Sequence, residues 1–181
     1  MPILSFILAQ AAVLGVEPLA DPLEGVSSEW MLCTHPDDTA KTCHLMATFT
    51  KTAGNEYAEL DHTAVVGLPG LVIELATKSV VKDGKLCSFA RRKDFEGVRI
   101  VRHVEGATRQ QELSAVRQLG FMYPIEGKEV CTAFYPDGQH LMTQSWINGK
   151  PVPEMATRIR WVHKDDGYVV TGWRGAITTP Q

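Results

Sequence analysis

The chain has 181 residues, a net charge of −3 and a pI near 6.1, with 44% hydrophobic and 22% charged residues. That length favours one domain, and that composition supplies a packed core and excludes a disordered chain. The charge balance lacks the clustered Lys and Arg of a nucleic-acid or anionic-membrane surface, so neither partner is expected.

Residues 2–15 form an uncharged, largely apolar run. The run is shorter than the roughly 20 residues that cross a bilayer, so an integral membrane protein is not expected. It has the length of a signal-peptide hydrophobic region, and residues 1–15 read as a signal peptide. No Lys or Arg precedes it, and cleavage after Ala11 or Gly15 would be only fair. The alternative is a buried first helix or strand in a cytoplasmic protein. The export reading makes the protein periplasmic or secreted. Residues 16–28, rich in Pro, Ser and acidic side chains, read as an extended arm or linker, and residues 29–175 as a single β-rich domain.

Six strands are expected over 29–34, 42–51, 57–66, 71–81, 85–91 and 97–104. Each is rich in Val, Thr, Leu and aromatic residues and bounded by Gly, Pro or Asp. Leu75, Ala76 and Lys78 would also suit a helix. Asp83-Gly84 is a two-residue hairpin signal, because a type I′ turn needs positive φ at both positions. The spacing of Thr108 and Gln111 is that of a capping box, and Leu113, Val116 and Leu119 form an apolar stripe. One helix is therefore expected over 108–119, ended by Gly120.

The remaining residues carry three turn signals. Pro136-Asp137-Gly138 reads as a three-residue hairpin loop, and Asn148-Gly149 and Asp166-Gly167 as two-residue turns. Four strands follow, near 128–135, 139–147, 152–163 and 168–174. Carrying the register through these turns puts Val130, Thr132, Phe134, His140, Met142, Gln144, Trp146, Ile159, Trp161, His163 and Arg174 on one side. This side is the bulkier and more apolar, so it is expected to face the core. On the other side Arg160 would stack on Trp173. The fold class is α+β, mostly β: an antiparallel meander or partial barrel of about ten strands with one helix packed on it.

Cys33, Cys43, Cys87 and Cys131 make an even count behind an export-like start, which suits two disulfides. The local pairing is Cys33 with Cys43, leaving Cys87 with Cys131. Four reduced, buried thiols are the alternative. Zinc held by Cys33, His35, Cys43 and His44 has the wrong ligand spacing, so no metal is expected. Glu59 and Asp61 share one strand side and read as a solvated face. Asp37 and Asp38 read as turn formers, and Arg91-Arg92-Lys93 as a charged hairpin tip.

No phosphate loop, dinucleotide fingerprint or hydrolase elbow occurs, and no cofactor is expected. The sequence reads as a small exported envelope protein without recognisable catalytic machinery. Its partner would be a small apolar molecule or an envelope protein. The ligand-binding set would be Phe134, Met142, Trp146, Ile159, Trp161 and Arg174. The alternative is a small-barrel lyase or isomerase with His140 or His163 as general base.

Overall fold

The computed structural model describes residues 16–65, 68, 70–89, 91–122 and 127–171, without the side chains of residues 92, 95 and 118–122. In chain order the elements are β1 (Trp30–Thr34), β2 (Thr42–Cys43), β3 (Leu45–Ala53), β4 (Glu56–Ala64), β5 (Val72–Lys82), β6 (Lys85–Phe89), α1 (Arg92–Glu96) and β7 (Arg99–Arg102). They continue with α2 (Arg109–Met122), β8 (Glu129–Asp137), β9 (His140–Ile147), β10 (Lys150–Pro151), β11 (Arg158–His163) and β12 (Val169–Val170).

Eight strands close into a barrel in the order β1-β3-β4-β5-β6-β8-β9-β11, and β11 pairs back with β1. Every neighbour in the ring is antiparallel, and chain order equals ring order, so this is an up-and-down meander. Closure removes the free sheet edges that would otherwise template aggregation. The 71–81 segment is a strand, despite its helix-compatible residues, because β5 pairs with β4 along its length and also with β6 and β7.

The strongest turn signals act as their chemistry dictates. Asp83 and Gly84 have φ of 51° and 70°, and Asn148 and Gly149 of 48° and 77°, which turn β5 into β6 and β9 into β10. The capping box is present: Gln111 N donates to Thr108 Oγ1 at 3.3 Å, and Thr108 N donates to Gln111 Oε1 at 2.7 Å. The helix nonetheless runs on to Met122, so Gly120 does not end it. Val116 of α2 packs with Val65, Leu71 and Ile73 at one end of the barrel. Arg91-Arg92-Lys93 opens the short helix α1 instead of tipping a hairpin, with Asp94 bonded back to Arg91.

Both expected disulfides form. Cys33–Cys43 ties β1 to β2, and Cys87–Cys131 joins directly opposed residues of β6 and β8. The second closes a loop of 44 residues across the barrel wall. Such a cross-link contributes about 3–4 kcal/mol by restricting the unfolded chain.

Two turns differ from expectation, and both move side chains between faces. The β8–β9 connection is a two-residue turn, Gly138-Gln139, with Asp137 paired to His140 and Phe134 to Thr143. The three-residue Pro136-Asp137-Gly138 loop would have paired Phe134 with His140. Partner numbers change by an odd count, so every β9 side chain swaps sides. His140, Met142, Gln144 and Trp146 therefore face outward, while Leu141, Thr143, Ser145 and Ile147 share the inner side with Phe134. Asp166-Gly167 does not make a hairpin either. A 3-10 turn over Lys164–Asp166 ends at Gly167, and the chain leaves to form β12, parallel to β2. The barrel neighbours of β11 are β9 and β1.

Following the pairing around the ring gives one consistent interior. Leu32, Ala47, Phe49, Tyr57, Phe134 and Ile159 point inward and form its apolar core. Outside, Cys33, Cys43, Met46, Val72 and Val162 are covered by Tyr168 and Val170 of the returning chain.

Candidate functional site

The strand directions put the turns after β3, β5 and β8, together with the start of β1, at one end of the barrel. The 16–29 arm crosses this end. Leu19 N donates to the Phe134 carbonyl at 2.8 Å, which uses backbone of β8 beyond the reach of β6. The arm passes so close over the β5–β6 turn that a Cβ on Gly84 would meet the Leu19 carbonyl oxygen at 3.3 Å. Asp21 Oδ1 then accepts from Leu23 N at 2.9 Å, a turn that inserts Leu23 into the apolar core. The arm is thus a plug in the barrel mouth.

The plug leaves an open cleft of about 590 Å³ between the arm, the β8–β9 turn and β11. Its apolar wall is Leu19, Pro22, Val26, Trp30, Leu141 and Trp161, and its polar end carries His140 and Arg160. Trp161 packs edge-on against Phe49 at 6.0 Å between ring centroids, and His163 does the same to Trp30 at 5.4 Å. The cleft therefore has two aromatic walls held in fixed orientations.

Asp38 organises the polar end. It accepts from His140 Nε2 at 3.0 Å, from Arg160 at 2.8 Å and from the Tyr168 hydroxyl. The Tyr168 hydroxyl, with His140 and Arg160, holds the Asp38 carboxyl below the usual carboxylate range. Burial, reinforced by Asp38, pushes the Tyr168 phenol up, so it stays a donor. Asp37 behaves as a turn former, accepting from Thr39 N and Ala40 N, but Asp38 does not. Because a carboxylate only accepts, the His140 nitrogen that faces Asp38, Nε2, is the donor of this contact.

Deeper in the barrel lies a polar sector. Inverted alternation on β4 turns Tyr57, Glu59, Asp61 and Thr63 inward and Ala58, Leu60, His62 and Ala64 outward. Glu59 and Asp61 are interior residues, not the solvated face their composition suggests. The Ser79 hydroxyl donates to Glu59, which also engages Thr77 and Asp61. Asp61 is buried, and its Oδ1 has no hydrogen-bond partner among the described residues. Burial, then the neighbouring Glu59 charge, pushes the Asp61 carboxyl well above the usual range; burial likewise raises Glu59. Glu59, Leu75, Thr77, Leu86 and Thr132 all point inward yet are only half-buried, so side chains do not completely fill the lumen.

Comparison with protein-family models, curated proteins and solved structures returns no match. The site is therefore read from its own geometry.

The structure divides the expected ligand-binding set. Phe134, Ile159 and Trp161 face the interior, and Trp161 lines the cleft. Met142 and Trp146 project from the opposite side of the sheet, with Trp146 beneath the Lys85 ammonium at 4.8 Å. The single apolar surface carrying Trp146 and Trp161 together does not exist. Arg174 lies outside the described residues, as do Trp173 and residues 1–15. Of the two histidines, only His140 lines the cleft. His163 caps the 3-10 turn, its Nδ1 accepting from Asp165 N. Cys33 and Cys43 are bonded to each other, so neither sulfur is available to zinc. His35 and His44 stack face to face at 4.6 Å on the outer surface.

The sequence reading put Glu59 and Asp61 together on one strand side but assigned that side to solvent, and it missed the arm's share of the cleft. The available signal for the carboxyls was β3, where Ala47 and Phe49 alternate with Thr48 and Thr50. Pairing β4 against that strand forces Asp61 and Glu59 to the apolar side.

Proposed function

We propose that the protein binds a small, largely apolar molecule in the mouth of its barrel. The carrying observation is the cleft between Trp30 and Trp161, with apolar walls and a polar lining of Asp21, Glu24, Gln139, His140 and Arg160. That distribution suits a ligand with an apolar body and a few polar groups. An eight-stranded barrel has an interior wide enough for one small ligand. Two disulfides fit folding in an oxidising compartment, periplasmic or extracellular. Among the described residues no helix is long and apolar enough to cross a membrane.

Apolar probes such as 1-anilinonaphthalene-8-sulfonate and fatty acids of increasing length should quench the tryptophan emission saturably. Trp161→Phe should remove most of that quenching, and Trp146→Phe should leave it intact. Equal loss in both variants, or no saturable quenching, would refute the reading.

A second reading rests on one observation, the 3.0 Å contact between His140, at the edge of the cleft, and Asp38. A histidine oriented by a carboxylate is the arrangement of a general base in a lyase or isomerase. Such a base would exchange the α-protons of small carbonyl compounds in D2O, observable by NMR. His140→Gln should abolish that exchange; identical rates in wild type and variant would dismiss the enzyme reading.

A further inference from the structure

We propose that the lumen holds a second site, for a small organic ammonium seated against the Glu59 and Asp61 carboxyls beside the Phe49 ring. This goes beyond the mouth cleft and stands whether or not that cleft is occupied.

Four observations converge. Glu59 and Asp61 occupy successive inward positions of β4, with Tyr57 the inward residue before them and Phe49 directly opposite Glu59 on β3. The inward residues facing this stretch on β5 are Leu75, Thr77 and Ser79, and on β3 are Ala47, Phe49 and Lys51; the Lys51 ammonium sits over the Tyr57 ring, 5.9 Å from its centroid, and makes no ion pair with either acid. Asp61 is 9% exposed and its Oδ1 has no partner among the described residues. Glu59 and Thr77, although inward, keep accessible surface, which leaves room beside the carboxyls.

A buried carboxyl oxygen without a donor carries a desolvation cost that a native fold ordinarily avoids. The missing partner must be a donor, and two acids in an apolar setting favour a charged one. A hard divalent ion collects six or more oxygens, and only two carboxyls are offered. An ammonium requires fewer acceptors and gains from an aromatic face, which Phe49 places opposite Glu59 on the same side of the sheet.

The test uses the whole disulfide-bonded protein in phosphate buffer at pH 7.5. Ethylamine, benzylamine and phenethylamine are titrated, with benzyl alcohol and calcium chloride as comparisons. Melting temperature and calorimetric affinity are the readouts. At least one amine should raise Tm in a concentration-dependent way while benzyl alcohol does not. Glu59→Gln and Asp61→Asn should each weaken amine binding about tenfold or more, as expected when a charge-assisted partner is removed. Both replacements keep side-chain shape, and circular dichroism with an intact unfolding transition checks that the barrel forms. No response to any amine overturns the proposal. An equal response to benzyl alcohol, unchanged affinity in both variants, or stabilisation by calcium alone does so too. Tryptophan quenching by apolar probes, measured on the same variants, reports the mouth cleft separately. A variant that loses amine binding but keeps quenching separates the two sites.

Discussion

Phe134→Ala is expected to lower the unfolding free energy by about 3–5 kcal/mol, and Trp146→Ala by only about 1 kcal/mol. The two residues would be near-equivalent anchors if they shared a face. Phe134 is 2% exposed and belongs to the interior cluster with Leu23, Leu32, Phe49 and Ile159. Its removal leaves a cavity that strands locked in a closed ring collapse around poorly. Trp146 lies on the outer wall, partly exposed, where its main specific contact is the Lys85 ammonium. Urea unfolding monitored by circular dichroism measures both. A Trp146→Ala cost equal to or above that of Phe134→Ala would mean that β9 is turned the other way. The interior described above would then be wrong.

That comparison also marks where the sequence stops being informative. Asp83-Gly84, Asn148-Gly149 and the Thr108/Gln111 capping box were legible because each is decided within a few residues by backbone sterics or a local hydrogen bond. The disulfides were legible for a similar reason, since fixing the short Cys33–Cys43 loop leaves one partner for Cys87. Pro136-Asp137-Gly138 failed because its alternatives differ by a small change in loop length, yet that change inverts a whole strand. The arm contributes to the outcome: Leu19 bonds the Phe134 carbonyl, a contact remote in sequence from the turn. Asp166-Gly167 shows the same limit. The dipeptide signals a hairpin, but Asp166 accepts from His163 N and winds the 3-10 turn, so Gly167 redirects the chain toward β2. Ring closure between β1 and β11 has no local signature at all. The inward turn of Glu59 and Asp61 follows only from pairing β4 against β3, because β4 alone alternates with its nonpolar residues outside.

Asp61→Asn is expected to stabilise the protein at pH 8 by on the order of 1–3 kcal/mol, and to change little near pH 4. Burial, then the Glu59 charge and the hydrogen bond to Glu59, hold the Asp61 carboxyl well above the usual carboxylate range. The folded state therefore binds the Asp61 proton more tightly than the unfolded chain does. Stability from this group is complete below the ordinary carboxylate pKa and is lost as pH rises through the raised folded value. Asparagine has no proton to lose, so the variant escapes that decline. Asp38 and Glu74, both held below the usual range by hydrogen-bonding partners, act with the opposite sign and cost stability as pH falls. Their contribution is common to wild type and variant, so the difference between the two curves reports the coupled Asp61 and Glu59 pair. Parallel pH curves would show that Asp61 is not a buried acid in the folded state. The measurement belongs in phosphate, free of amines. An ammonium seated against Glu59 and Asp61 would favour their charged forms, and adding benzylamine should then close the gap at pH 8 by raising the wild type alone. If benzylamine lifts wild type and Asp61→Asn equally, the lumen acids are a destabilising structural feature and not a recognition site.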